Sequence, residues 1–289
     1  MFLRLTLVVL SVFGLALSAP RADDPTPFEL AALNGSDLRV EHFVLQRKTT
    51  DASGRTTSEV AGFVEWRRRE AQHGVQLECD TRFLRGKLAI DGARDAQRVL
   101  HVECLTETSA RCVWRELGPG SGRSIQGEWS RDGGALNIAE WSPSGTKRGT
   151  LVASKGVVMP LYLTELVRHG RVTAGTITAF DPVARTLEAL TVRTLYLGGP
   201  EHSGSEQLDD SAPSSRGLRT VEFVRADGTL AGRYRFAGVD LVAFQWQEGG
   251  LSGRRVDAEE YARLFAQNAP RLAEDATGEP RPAAVVRDR

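Results

Sequence analysis

The chain has little of several features that would point to a particular function. Among its 289 residues, Lys plus Arg and Asp plus Glu both number 37, so the formal net charge is zero. A chain without a basic excess lacks the electrostatic footprint of a nucleic-acid binder. Its five histidines are dispersed, without a His-x-x-x-His pair. We therefore expect neither a nucleic-acid partner nor a bound metal or other cofactor.

Motifs for nucleophilic catalysis and phosphate binding are also missing. The chain contains no Gly-x-Ser-x-Gly, and the glycines of GPGSG at 118–122 follow a predicted strand with no helix behind them, unlike a phosphate-binding loop. The tightest group of metal-donor residues is His101, Glu103 and Cys104. Period-two alternation predicts that His101 and Glu103 face outward and Cys104 inward, so the three could not share one ion. We predict no catalytic residue and no metal ligand.

Cysteine is scarce, with three residues in the whole chain. In an exported protein, three cysteines raise the question of a disulfide. If the hairpin that contains LTETSAR turns about Thr108, Cys104 lies directly opposite Cys112, and Val102 faces Trp114. We therefore predict a Cys104–Cys112 disulfide. Cys79 is the competing partner, and three free thiols are the alternative.

The sequence has no uninterrupted apolar run of the ~20 residues that a membrane helix needs. A shorter run, residues 5–17, follows Arg4 and ends near the small residues Ala16 and Ser18. This is the pattern of a secretory signal peptide that is cleaved after Ser18; an uncleaved membrane anchor is the alternative. We predict a signal peptide at residues 1–18 and an exported mature chain, periplasmic or extracellular, without a transmembrane span.

The sequence does contain a long series of segments in which apolar and polar residues alternate with period two, which is typical of strands with one solvent-exposed face. In VLHVECLT, residues 99–106, the alternation predicts Leu100, Val102 and Cys104 on the inner face. Turn signals such as DASG, DGARD and GPGSG separate the segments. We predict strands at residues 39–48, 58–68, 74–83, 99–106, 111–117, 124–130, 135–141, 172–180, 186–197, 218–225, 229–236 and 241–246.

Two segments break the alternation and predict helices. The first, PLYLTELVRHGRV at 160–172, has Pro160 suited to a first helical turn and Gly170 suited to the left-handed position after the last. The second begins after the N-cap Asp257 and runs through residue 267. Its apolar stripe consists of Tyr261, Leu264 and Phe265.

These elements predict a mainly β fold: a large curved antiparallel sheet or open half-barrel around one central helix, with a short C-terminal helix. A sheet with one apolar face must bury that face, and the central helix is the best candidate to cover it. We divide the chain into the signal peptide, an irregular lead-in at 19–37, one β-rich domain at 38–267 and a disordered tail at 268–289.

The order of elements also resembles a known family. MPLYLTELVRHGRVTAGTITAFDPVARTLEALTV, residues 159–192, has a Pro-led apolar helix, a basic residue, a strand and a hairpin through Asp181-Pro182. RADGTLAGRYRF, residues 225–236, adds two strands around an Asp-Gly turn. This layout resembles that of the periplasmic lipoprotein carriers of the LolA/LppX type and similar exported domains. The resemblance implies an incomplete barrel around a helix, with a cavity for acyl chains.

The leading hypothesis for function is a non-enzymatic exported protein that binds an apolar ligand, such as a lipid or acyl chain, or an envelope partner in the concave face of the sheet. Leu163 and Leu166 share one helical face and are predicted to be its ligand contacts. A secreted hydrolase with a site formed only in three dimensions and a structural envelope module are the alternatives. An open apolar cavity on the order of several hundred Å³ would favour ligand binding. Buried acid–base pairs in a cleft would favour the hydrolase, and an interior without a cavity would favour the envelope module.

Overall fold

The computed structural model describes residues 39–50, 53–71, 74–84, 97–106, 109–118, 121–130, 134–152, 157–197, 217–246 and 250–272. The predicted signal peptide and the lead-in lie outside these residues. The described strands are β1 (Arg39–Thr50), β2 (Thr56–Ala71), β3 (Gly74–Phe83), β4 (Arg98–Thr106), β5 (Ser109–Gly118), β6 (Ser121–Ser130), β7 (Ala135–Ser142), β8 (Gly145–Val152), β9 (Val157–Val158), β10 (Gly175–Asp181), β11 (Thr186–Leu197), β12 (Leu218–Arg225), β13 (Leu230–Ala237), β14 (Asp240–Trp246) and β15 (Leu251–Val256). The described helices are α1 (Pro160–Arg168) and α2 (Ala258–Asn268), the latter followed by a 3₁₀ turn, Ala269–Arg271.

All of these strands belong to one sheet, in the order β8-β7-β6-β5-β4-β3-β2-β1-β15-β14-β13-β12-β11-β10-β9. Neighbours pair antiparallel, except for the short parallel contact between β9 and β10. β1 lies between β2 and β15, so the first and last described strands meet in the middle of the sheet. One arm of the sheet runs outward from β1 to β8, and the other from β15 to β9. The predicted fold class, a large curved antiparallel sheet with one central and one C-terminal helix, is confirmed.

An aromatic side chain that packs on a glycine shows how far the sheet curves. Phe180 of β10 lies over Gly127 of β6, where an added Cβ would come within 2.8 Å of the ring. These strands belong to opposite arms and are far apart in the sheet order, so the two arms must face each other across the concave side. A larger residue at position 127 would therefore clash with the ring of Phe180.

Three strands were not predicted. β8 is almost entirely exposed and forms one edge of the sheet, so its sequence has no buried face to produce an alternation. Its Lys147 and Arg148 are charges of the kind that protect an edge strand from pairing with another chain. β9 has only two residues. β15 contains Gly253 followed by two arginines, which hides its alternation.

Helix α1 lies inside the curve of the sheet. Every residue from Leu161 to Arg168 is buried, and its apolar side chains belong to the main core together with residues of both arms. The helix ends as predicted, with Gly170 at φ 69°. The N–H groups of Gly170 and Arg171 donate to the carbonyls of Val167 and Leu166, which is a Schellman motif.

Helix α2 covers the opposite face of the sheet over a second, smaller core. Asp257 caps it as predicted, because its carboxylate accepts a hydrogen bond of 2.7 Å from the Glu260 N–H. The predicted stripe of Tyr261, Leu264 and Phe265 packs on that core, which consists of Val44, Phe63, Leu84, Val256 and Leu272. The described residues contain no α-helix besides α1 and α2. Neither of these two helices is long and apolar enough to cross a membrane.

The beginning of the predicted tail needs a correction. We placed it at Asn268, but α2 extends to this residue, and a 3₁₀ turn follows. Leu272 is 2 % exposed and forms a bridge with Leu84. Burial of this leucine in the second core is the physical reason why residues 268–272 belong to the fold; residues 273–289 lie outside the described part of the chain.

Candidate functional site

A cavity of about 190 Å³ lies between the N-terminal half of α1 and the concave face of the sheet. Its walls come from both arms of the sheet and from the turn after β10. Three of the five tryptophans line it, together with residues that are mostly apolar or aromatic. The lining residues are Trp66, Cys79, Thr81, Val99, His101, Trp114, Pro160, Leu161, Thr164, Asp181, Pro182, Val183, Ala231, Tyr234 and Trp246.

The lining changes from buried to partly exposed across the cavity. Cys79 and Val99 on the inner side are buried, whereas Pro160, Ala231 and Trp246 are partly exposed. The cavity therefore reaches the surface on the side of β13 and β14. Its volume is below the roughly several hundred Å³ that would favour ligand binding. The interior nevertheless contains a cavity, unlike the interior expected for a structural envelope module.

Two polar side chains lie between the open side of the cavity and helix α1. Thr164 Oγ1 donates to the carbonyl of Pro160 at 3.2 Å. Burial raises the pKa of Tyr234 above its ordinary value, and the neighbouring Trp246 and Thr164 side chains oppose that shift in part. The Tyr234 hydroxyl thus stays neutral in this wall of the cavity.

The N-terminus of α1 is capped by a side chain from the sheet. Met159 at the N-cap position makes no side-chain cap hydrogen bond. Instead, Glu103 of β4 accepts one hydrogen bond from the N–H of Leu161 and one from the N–H of Tyr162, each 2.8 Å long. The carboxylate is fully buried, and the positive end of the helix dipole compensates its charge. Glu103 thereby anchors α1 to the sheet next to the cavity.

The position of Glu103 corrects the predicted orientation of β4. We expected His101 and Glu103 to face outward and Leu100, Val102 and Cys104 to face inward. The structure has the opposite arrangement, with His101 lining the cavity and Glu103 beneath α1. The prediction failed because Leu100 and Val102 are also buried, at 6 % and 3 % exposure, so apolar residues on the outer face of β4 imitate an inner face.

The predicted disulfide fails for a related reason. Leu105 pairs with Ala110, whereas a turn about Thr108 would pair it with Arg111. The register consequently shifts by one residue, which places Cys104 opposite Arg111 and Cys112 opposite Glu103. Cys104 and Cys112 then point to opposite faces of the sheet. Both are free thiols, and so is Cys79.

The corrected register brings His101, Glu103 and Cys112 together. His101 Nε2 lies 3.0 Å from Glu103 Oε1 and 3.2 Å from Cys112 Sγ. A Cys-His-acid relay needs the thiol and the carboxylate on different ring nitrogens, whereas here both contact Nε2. Burial, and secondly the Glu103 carboxylate, raise the pKa of the Cys112 thiol, which opposes formation of a nucleophilic thiolate. The arrangement does not support thiol catalysis, but its three donor atoms lie within 4.8 Å of one another, close enough to hold a metal ion.

The C-terminal end of α1 is held by a buried ionic network. Arg168 Nη2 bonds to Glu41 at 2.7 Å and Arg168 Nε lies 3.0 Å from Glu165, with all three side chains at most 2 % exposed. Burial raises the pKa of Glu165, but His169 and Arg168 together lower it by more, so the pKa of this carboxyl is below its ordinary value. The Arg168 carbonyl accepts a hydrogen bond of 2.9 Å from Arg219. Charged groups thus fix α1 at both ends.

A second ionic cluster holds the turn after β10 against the opposite arm. Arg123 of β6 bonds to Glu140 at 2.8 Å and donates to the carbonyl of Val183, a cavity residue, at 3.0 Å. Arg185, in the same turn, also pairs with Glu140. Burial tends to raise the pKa of Glu140, but Arg123 and Arg185 lower it below its ordinary value. These contacts fix one wall of the cavity.

The predicted ligand contacts lie next to the cavity and do not line it. Leu163 and Leu166 are 3 % and 0 % exposed and pack in the main core, whereas α1 contributes Pro160, Leu161 and Thr164 to the cavity. A ligand contact of Leu163 or Leu166 therefore stays a prediction.

Sequence reasoning also missed residues that form the site. Trp66, Trp114 and Trp246 were not singled out as cavity residues, although large aromatics inside predicted strands were a usable signal. The absence of a Ser, Thr, Asp or Asn before Pro160 was a second signal, because a buried helix end without a local cap needs a partner from elsewhere.

Comparisons of the chain with protein-family models, with curated proteins and with solved structures give no match. The geometry of the concave face is therefore the basis for the functional proposal.

Proposed function

We propose that this protein binds an apolar small molecule, or one segment of an acyl chain, in the cavity between α1 and the concave face of the sheet. The cavity itself, about 190 Å³ in volume and lined mainly by apolar and aromatic side chains, is the observation that carries the proposal. A dry cavity of about 150 Å³ is sufficient for benzene, so this one has room for a single ring or a short stretch of chain. A longer ligand would extend from the open side at β13 and β14.

The cavity walls are held in place without a ligand. Glu103 fixes the first turn of α1, and Arg123 fixes the turn that contains Val183. Binding therefore costs little ordering of side chains, which favours affinity in a small site. Two of the few polar lining groups already bond to the backbone, because Thr164 Oγ1 donates to the Pro160 carbonyl and the Asp181 carboxylate accepts from the Val183 N–H, so they demand no polar partner from a ligand.

The predicted export would bring the site into the envelope or outside the cell, where lipids and their fragments are available. The likeness in layout to lipoprotein carriers agrees with this ligand class. Binding of a lipid or an acyl chain should therefore be tested first.

Tryptophan fluorescence offers a direct test, because Trp66, Trp114 and Trp246 all line the cavity. The protein is stripped of bound lipid and titrated with N-phenyl-1-naphthylamine, followed by displacement with dodecanoic acid. We expect saturable binding with energy transfer from tryptophan, and loss of the probe signal on displacement.

The variant Ala231→Phe should abolish this binding, because a ring at this lining position fills the cavity. Ala237→Phe makes the same change on the same strand, but Ala237 does not line the cavity, and it should bind like the wild type. Absence of saturable binding to the wild type, or equal binding by Ala231→Phe and Ala237→Phe, would refute the proposal.

A further inference from the structure

His101, Glu103 and Cys112 form a cluster of metal-donor atoms, and the apolar-ligand proposal gives this donor set no role. All three side chains are buried, and each offers one ligand atom to the same small volume. They come from two adjacent strands, with Glu103 directly opposite Cys112 and His101 two residues before Glu103. Imidazole nitrogen, carboxylate oxygen and thiolate sulfur are the three donor types that Zn²⁺ takes in proteins.

The distances fit a zinc ion after a small adjustment. Zinc bonds of about 2.0–2.1 Å to nitrogen, 2.0–2.2 Å to oxygen and 2.3 Å to sulfur, at tetrahedral angles, separate the donors by roughly 3.3–3.6 Å. Here His101 Nε2 is 3.0 Å from Glu103 Oε1 and 3.2 Å from Cys112 Sγ. Each of these two distances must therefore increase by a few tenths of an ångström, and the third pair of donors lies within 4.8 Å.

The surroundings also suit a cation. The N–H groups of Leu161 and Tyr162 donate to Glu103 and hold its carboxylate in place, as hydrogen-bond donors around a metal site orient its ligands. A divalent cation would be balanced by the Glu103 carboxylate and the Cys112 thiolate, which leaves no net charge in the buried site. The same cation would offset the burial that otherwise keeps the thiol protonated.

We propose that His101, Glu103 and Cys112 form a zinc site that joins β4 and β5 below the N-terminus of α1. On binding, the S–H bond of Cys112 breaks, an S–Zn bond forms and the proton leaves to solvent, without any change in oxidation state. The fourth coordination position takes water from the side of the cavity, which His101 also lines. This inference is independent of the apolar-ligand proposal.

Cobalt substitution tests the site, because Co²⁺ bound to a thiolate gives a charge-transfer absorption band in the near ultraviolet. The full-length protein is treated with chelator, dialysed and titrated with Co²⁺ and then with Zn²⁺. We expect one equivalent of Co²⁺ with a thiolate band, displaced by Zn²⁺, and a rise of the unfolding midpoint when Zn²⁺ is present.

The three cysteines supply matched variants. The double variant C79S/C104S retains only Cys112 and should keep the band, whereas C112S should lose both the band and the stabilisation by Zn²⁺. H101Q, which keeps every thiol, should weaken Co²⁺ binding and serves as the second test if C112S does not fold. No uptake of Co²⁺ by the wild type, a band that persists in C112S, or a band that is lost in C79S/C104S would each overturn the proposal.

Discussion

Truncation of Leu166 tests whether α1 is an integral part of the core. Leu166 is 0 % exposed and packs among side chains of the sheet. Leu166→Ala removes three carbon atoms, a loss of about 2 kcal/mol at ~0.8 kcal/mol per buried methylene. A residual cavity of roughly 50 Å³ adds about 1 kcal/mol at ~24 cal/mol per Å³. We expect the free energy of unfolding to fall by about 3 kcal/mol, within the ~2–5 kcal/mol range of such substitutions.

Urea unfolding followed by far-ultraviolet circular dichroism measures this loss. With an m-value of about 3 kcal/mol per molar urea, the midpoint should fall by about 1 M while the slope stays unchanged. A changed slope would indicate a different unfolded state and not only lost packing.

His169→Ala is the comparison on the same helix. His169 is partly exposed, and its Nε2 lies 3.7 Å from Glu165, so we expect a loss of less than about 1 kcal/mol. If Leu166→Ala unfolds at the same urea concentration as the wild type, α1 does not stabilise the sheet and the half-barrel around a central helix is refuted.

Three further predictions concern the groups that hold the two helices. Glu103→Gln, studied by urea unfolding in the presence of chelator, should lower the free energy of unfolding by about 2–4 kcal/mol, because the amide NH₂ of Gln faces a backbone N–H of α1 and cannot accept its hydrogen bond. An unchanged free energy of unfolding would disprove the cap. The lowered pKa of Glu165 stabilises the fold above pH ~4.5, and this contribution is lost as the pH falls through the folded-state pKa. The gap in unfolding midpoint between wild type and Glu165→Gln should therefore shrink from pH 5.5 to pH 3; a constant gap contradicts the reasoning. Asp257→Ala should lower the free energy of unfolding by about 1 kcal/mol and speed amide hydrogen exchange in α2. Unchanged exchange in α2 would show that Asp257 does not stabilise the helix as its N-cap.

Local rules predict the elements whose two faces differ. β3 and β11 begin and end at the predicted residues, because period-two alternation describes a strand with one buried face. The N-cap Asp257 of α2 and the Gly170 terminus of α1 are equally local, since each depends on residues within a few positions of the helix end. β8 lacks a buried face, so no pattern in its sequence records its pairing with β7.

The candidate site was beyond such rules. His101 and Glu103 are polar residues on the inner face of β4, and a polar residue is stable there only if a partner reaches it. The partners of Glu103 are backbone N–H groups of residues 161 and 162, whose side chains give no sign of the contact. The register between β4 and β5 then decides that Cys112, and not Cys104, joins them.

The sequence by itself thus determined a β-rich chain with one apolar central helix and one amphipathic helix at its C-terminal end, because alternation, capping and helix termination are short-range effects. Only the tertiary structure decided which face of β4 is inner, where the cavity lies and which donor atoms meet. These depend on the curvature that brings β6 and β10 together, and curvature is the sum of many strand contacts across the whole sheet.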